Sequence, residues 1–242
     1  MPTIDMNDTT LYYERSGKGP AMLFVHGMCG DAEVWPTRPY ASPTATPACA
    51  TTGEATAAAA EATPPSATPC TPTTPPPSSR LSGWRRACWS DPAAAAIAVD
   101  VALRYGHLLR GAVFSEPPLF CLDPAAGQAI MEELTRRLAQ APRRADPAAD
   151  VDGFFSLVCP RLWSMLQETR KDRYRANAHI GFTDLQSPSL DVAADDLAAV
   201  TIPALVFAGD TSHPSLRSVA HRLAEALPDA RFVELADCGH VT

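Results

Sequence analysis

Between Pro36 and Arg80 the chain has no Leu, Ile, Val, Met, Phe or Trp. So little apolar surface cannot offset the conformational entropy of ordering the backbone, and the stretch is expected to form no core strand. Regular cysteine spacing is also missing. The seven cysteines (29, 49, 70, 88, 121, 159, 238) are odd in number, widely spaced and free of any C-x-x-C pair, which argues against a disulfide framework and a zinc site. Lys and Arg total 20 against 27 Asp and Glu, a net charge of −7, and the cations form short clusters such as 136–137, 143–144 and 170–175. That balance argues against a nucleic-acid partner. No run reaches the ~20 apolar residues that span a bilayer, and the N-terminal MPTIDMNDTT lacks the build of a signal peptide. These absences point to a soluble protein of a reducing cytoplasm, with no membrane partner.

What remains is ordinary globular sequence. At 242 residues and 46% hydrophobic, the chain suffices for one α/β domain with a small helical subdomain. Three strand signals open it: one ending near Asp5, Thr10–Glu14, and Ala21–Val25 after the turn 16–20. The third runs into His26-Gly27-Met28-Cys29-Gly30. The spacing predicts a helix over Ala93–Arg104 and a buried strand over Leu108–Phe114, closed by Ser115-Glu116-Pro117-Pro118. Residues 119–200 read as helical, with breaks at Pro142, Pro147, Pro160 and Pro188. A strand over Ile202–Asp210, a helix over Leu216–Leu227 and a strand over Arg231–Leu235 lead to Ala236-Asp237-Cys238-Gly239-His240.

A strand entering H-G-x-x-G, a helix and buried strand, a late strand ending in G-D, then a helix, a strand and G-H resembles the α/β-hydrolases. The four segments match in the right order. The resemblance implies a doubly wound, mostly parallel sheet with a helical cap. On that plan residues 1–35 hold the first strands and the oxyanion loop, 36–92 are an aberrant segment, 93–118 a core helix and strand, 119–200 the cap, and 201–242 a C-terminal core part. The central strands are expected to be disrupted, with poor folding as the result. By resemblance the Met28 amide is an oxyanion donor and His26 and Gly27 shape the loop. His240 becomes the general base and Asp210 the acid that orients it, with Glu116 the alternative acid, because some relatives place theirs after the preceding strand. The substrate implied is a small molecule, with no metal and no organic cofactor. Esterase, lactonase, C–C hydrolase and cofactor-free haloperoxidase chemistry all share these parts.

Two family motifs are absent as written: a D-x-R-G-x-G-x-S loop and the G-x-S-x-G elbow that lifts a nucleophilic serine toward the oxyanion amides. The genetic code allows a test, in which new codons are formed from the third base of each codon and the first two of the next. From Ala48 to Ala59 that frame permits V-R-Y-D-R-R-G-H-G-R-S, and after Trp89 it permits G-S-S-x-G. Both missing motifs fall in one frame, in order. Eleven of the 24 prolines lie between Pro36 and Pro77, as expected of GC-rich coding sequence read out of frame. Residues from about Pro36 to about Ala95 are therefore read as frameshifted, against the rival reading of a Pro/Thr/Ala linker.

In the chain as it stands Ser90 is nearest the elbow, but Trp89-Ser90-Asp91-Pro92 lacks both glycines and reads more simply as a loop. Cys29 and Cys88 read as bystanders, and His107, His179, His213 and His221 as surface or core histidines. Asp31 and Glu33 lie where a pocket mouth would be, or are solvated loop charges. The sequence stops two residues after His240, without the usual final helix, so the loop holding this histidine is expected to be loosened. The reading is a hydrolase by descent with impaired activity. Its alternatives are a non-catalytic small-ligand-binding protein on the same scaffold and a linker joining two modules.

Overall fold

The computed structural model describes residues 3–6, 9–16, 22–31, 48–51, 86–90, 92–140, 147–179, 181 and 190–240. The N-terminal apolar runs form β1 (Thr3–Met6), β2 (Thr9–Ser16) and β3 (Met22–Val25), followed by β4 (Ala48–Thr51) and β5 (Arg86–Ser90). Helix α1 (Pro92–Tyr105) leads to β6 (Leu109–Ser115). Between β6 and β7 the described residues include the α-helices α2 (Pro124–Gln140), α3 (Pro147–Val158), α4 (Pro160–Met165), α5 (Glu168–Ala176) and α6 (Ala194–Ala198). The chain closes with β7 (Ala204–Gly209), α7 (Pro214–Ala226) and β8 (Ala230–Leu235). Pro147 and Pro160, expected as breaks, open α3 and α4, where a missing N–H costs nothing. Pro142 and Pro188 lie outside the described residues.

The strands form one sheet in the order β1-β2-β4-β3-β5-β6-β7-β8. The β1–β2 and β2–β4 pairs are antiparallel, and every pair from β4 to β8 is parallel. Strand β3 is flanked by β4 and β5, so the chain winds first to one side of β3 and then to the other. Ligands of open α/β sheets bind at the carboxyl ends of the strands beside such a switch point. The loops after β3, β5, β6, β7 and β8 all leave the sheet at that edge.

The expectation of no core strand between Pro36 and Arg80 is corrected at one place, Ala48–Thr51, which forms β4 between β2 and β3. Leu23 pairs with Cys49 on one side and Cys88 on the other, and Cys88 pairs in turn with Ala112. Entropy arguments from side-chain size overlook that ladder bonds are made by the backbone, which any non-proline residue supplies. Both segments are free of proline, and β3 and β6 offer edges that gain by being paired. The remainder of 36–92, other than Pro92 itself, lies outside the described residues.

One described core cluster runs from Ala98 to Leu227 and packs α1, α6 and α7 against one face of the sheet, through the alternate residues Ala112 and Phe114 of β6 and Ala204, Val206 and Ala208 of β7. Ala95, Ala98, Val99 and Ala102 recur at helical spacing along α1, and their small size brings the helix close to Ala112 and Phe114 of β6. On α7 the buried face is Leu216, Val219, Ala220 and Leu223. Phe114, Val206, Leu197 and Leu223 are each 0% exposed, and full burial of such a side chain contributes about 1.5–3 kcal/mol. A second cluster joins Ile130, Leu134, Val151, Phe155 and Trp163 of the inserted helices to Cys29 after β3 and Leu216 at the start of α7. The insertion therefore packs onto the loops at the carboxyl edge of the sheet.

Candidate active site

Strand β6 ends where Glu116 takes a left-handed conformation, φ 41°, ahead of Pro117 and Pro118, which cannot continue a ladder. The Glu116 amide donates to the Phe207 carbonyl at 3.1 Å, so the turn stays stitched to β7. Its carboxylate is buried, 1% exposed, and both oxygens are engaged. Oε1 accepts the Gly209 N–H at 2.8 Å. Oε2 faces Nδ1 of His240 at 2.5 Å. His240 is itself buried. With its Nδ1 proton committed to a carboxylate, the imidazole has Nε2 as its basic nitrogen, the tautomer a general base requires.

The loop carrying His240 is held against β7 by several bonds. The Asp210 amide donates to the Leu235 carbonyl at 3.0 Å, and both the amide and Oγ1 of Thr211 donate to the Cys238 carbonyl, at 3.0 and 2.6 Å. Asp237 takes φ 57° to make the bend. Gly209 serves twice: its N–H fixes Glu116, and its lack of a side chain makes room for the Cys238 carbonyl, which a Cβ there would overlap. Gly209→Ala is expected to push the 236–240 loop off β7, lower thermal stability and separate His240 from Glu116. A downfield imidazole proton resonance from the Glu116–His240 bond, present in the parent and lost in the variant, would check this.

The acid facing His240 is Glu116, the alternative, rather than Asp210. Nδ1 carries a single proton and Glu116 already accepts it. Asp210 is pinned by its main chain, and its Oδ1 is buried without a hydrogen-bond partner.

At the end of β3, His26 Nδ1 and the Gly30 amide both donate to the Gly27 carbonyl, at 2.9 and 3.1 Å. Cys29, φ 58°, turns the chain, and Asn177 Nδ2 donates to the carbonyls of Cys29 and Gly30 at 3.2 and 3.3 Å. A trans peptide points its C=O and N–H in opposite directions. Since the Gly27 carbonyl faces His26 and Gly30, the Met28 N–H is directed the other way.

No protein-family model and no curated protein matches the sequence. Solved structures do match. An N-acyl homoserine lactone degrading enzyme superposes with a TM-score of 0.67 at 14% identity, covering 99% of this chain and 93% of its own. The enol-lactonase from Burkholderia xenovorans LB400 gives 0.63 at 14%, with 99% and 93% covered. A thermophilic esterase from Thermogutta terrifontis gives 0.66 at 17%, with 99% and 89% covered. An alpha/beta hydrolase from Sphaerobacter thermophilus gives 0.61 at 20%, with 97% and 92% covered. The chain has the α/β-hydrolase fold.

Within the α/β-hydrolase fold the β5–α1 junction lies between the oxyanion loop and the Glu116 turn. Ser90 is the last residue of β5, paired with Val25 and Phe114, and α1 begins at Pro92. The junction reads Ser90-Asp91-Pro92, without the glycines of an elbow. Glu33 falls outside the described residues, while Asp31 forms an ion pair with Arg173 at 2.6 Å. His107, His179 and His221 are exposed, the last stacked on Phe232. His213 accepts the Ser215 amide and so caps α7, and burial holds its pKa below the ordinary histidine value. Among the described residues no cluster of metal-ligating side chains occurs, and no helix is long and apolar enough to cross a membrane. Cys29 is buried in the loop after β3. The roles of Gly209 and Thr211 were not visible in the sequence, where the G-D pair marked only its aspartate.

Proposed function

We propose that this chain carries the acid–base pair and the oxyanion loop of a Ser-His-acid hydrolase of small ester-like substrates, with Glu116 as acid, His240 as base and the Met28 amide as oxyanion donor. The observation that carries this reading is the buried Glu116–His240 hydrogen bond at the carboxyl edge of the sheet. In such a site Nε2 takes the proton of an attacking hydroxyl, the oxyanion loop receives the charge that develops on the carbonyl oxygen, and the imidazolium returns its proton to the leaving group. Hydrolysis by this chain is impaired, because the strand-to-helix junction reads Trp89-Ser90-Asp91-Pro92, with neither glycine of the elbow and a proline where its turn should be. His240 retains the capacity to draw a proton from water. The segment out of frame explains that loss, and a cytoplasmic setting suits the thiols of Cys29, Cys121, Cys159 and Cys238.

The test is labelling with a fluorophosphonate probe beside hydrolysis of p-nitrophenyl acetate. We expect no covalent adduct, and a small rate above buffer that His240→Ala reduces to background. An adduct on a serine of this chain, or a rate indifferent to His240→Ala, would overturn the reading. The empty nucleophile position also favours a second reading, a non-catalytic small-ligand-binding protein that keeps the scaffold.

A further inference from the structure

We propose that Asn177 and Gly181 are positioning residues of the oxyanion loop, so that the inserted segment aims the Met28 amide as well as covering the edge of the sheet; the role rests on the hydrolase reading for what that amide does.

Two peptide planes connect Asn177 to Met28. The side-chain NH₂ of Asn177, the residue at which α5 ends, donates to the carbonyls of Cys29 and Gly30 at 3.2 and 3.3 Å, and both of its hydrogens are thereby used. In the trans Cys29–Gly30 peptide, a carbonyl held by Asn177 turns the Gly30 N–H the opposite way, and that N–H donates to the Gly27 carbonyl at 3.1 Å. The Gly27–Met28 peptide repeats the step, with its carbonyl taken by Gly30 and its N–H directed away from it. Hydrogen bonds in series polarise one another, so Asn177 both aims the Met28 N–H and strengthens it as a donor. Cys29 sits between the two planes at φ 58°, a conformation that a residue with a side chain keeps only where its surroundings hold it there.

Gly181 closes the clasp. Its amide donates to the Asn177 carbonyl at 3.2 Å, and a Cβ on it would lie 2.2 Å from Cys29 Sγ and 3.0 Å from Met28 Cγ. A residue without a side chain is what lets the chain after α5 approach the loop so closely. Cys29 is buried and shares the second core cluster with Ala178, so its sulfur has little room to swing aside. One turn before Asn177, Arg173 pairs with Asp31 at 2.6 Å. The stretch 173–181 thus meets Met28, Cys29, Gly30 and Asp31 in turn, and the loop that receives the oxyanion is set by the insertion as much as by β3.

The experiment compares the full chain with its variants on p-nitrophenyl acetate and on the corresponding thionoester, in which sulfur, a weak acceptor, replaces the carbonyl oxygen. Hydrogen exchange at the Gly30 amide is followed in parallel by NMR of glycine-labelled chain. Removing an oxyanion donor outright costs about 10²–10³-fold, so a donor left in place but badly aimed in Asn177→Ala should cost about 10-fold on the ester and under about 2-fold on the thionoester. Exchange at Gly30 should quicken by about 10-fold or more in the same variant, as its bond to Gly27 loosens. Gly181→Ala should act like Asn177→Ala, and adding Cys29→Ala to it should restore the ester rate, because the sulfur that the new methyl meets is gone. Arg222→Gln, on exposed α7 surface, should change nothing. A general loss of structure would lower both substrates together. Equal losses on ester and thionoester, no loss on either, unchanged Gly30 exchange in Asn177→Ala, or no restoration by Cys29→Ala would overturn the proposal. If Asn177→Ala does not fold, the Gly181→Ala and Cys29→Ala pair decides it. His240→Ala is scored separately. If that variant leaves both rates unchanged, the hydrolase reading fails and Gly30 exchange alone decides the clasp; if it abolishes them while Asn177→Ala does nothing, the clasp fails and the hydrolase reading stands.

Discussion

Glu116→Gln is expected to cut the hydrolytic rate of any form of this chain that turns over by about 10³–10⁴-fold, the scale on which a base histidine held in the wrong tautomer fails. The reason is a donor count. Glu116 accepts from the Gly209 N–H and from His240, whereas an amide has one acceptor oxygen and one NH₂ group. If the glutamine oxygen stays on Gly209, its NH₂ faces Nδ1, which must become the acceptor, and the proton moves to Nε2, where the base is needed. If the amide flips, its NH₂ confronts the Gly209 N–H and one buried donor goes unpaired. Glu116→Ala removes both acceptors from a buried site and should destabilise the fold by about 3–5 kcal/mol, the cost of breaking a buried polar pair. Denaturant melts of both variants check the stability, and a pH–rate profile checks the tautomer. Retention of the parental rate by Glu116→Gln would return the acid role to Asp210.

Restoring the shifted frame from about Pro36 to about Ala95 has the other large expected effect. The restored chain should gain G-S-S-x-G between β5 and α1, become labelled by a fluorophosphonate, and hydrolyse p-nitrophenyl esters about 10⁴–10⁶-fold faster than the present chain, because removing a nucleophile costs on that order. Resequencing the gene on both strands across codons 30–100 comes first. A single base missing or extra near each end of the segment would mean that the complete enzyme is the natural product. If the bases stand as given, the restored chain can still be made, and its failure to label would remove the frame argument altogether. A linker, the rival account, has no reason to yield a nucleophile when read one base earlier.

Much of the fold was legible in the sequence because it rests on local signals. The buried runs at 21–25, 108–114, 202–210 and 231–235 lie within a few residues of β3, β6, β7 and β8, since an apolar run bounded by turn residues has few other places to go. The helix read over 93–104 is α1, observed from Pro92 to Tyr105, for an alanine-rich stretch carries its own propensity. Strands β4 and β5 were not legible. Each is only four or five residues long, and Trp89 is the one large apolar residue between them, so no run marked them as strands; β4 is held by β2 and β3, and β5 by β3 and β6.

The candidate site divides along the same line. Sequence alone determined that His26-Gly27-Met28, Glu116, Asp210 and His240 each follow a strand, and that no serine stands in an elbow motif, because strand ends and motifs are properties of neighbouring residues. Only the tertiary structure decided which acid meets His240. Glu116 and Asp210 end adjacent parallel strands and are equivalent by spacing. The choice turned on the left-handed bend at Glu116 and on Gly209, whose N–H takes one carboxylate oxygen and whose bare Cα lets the His240 loop close over the other. These are contacts between residues far apart in the chain, and such contacts leave no periodic signal in it.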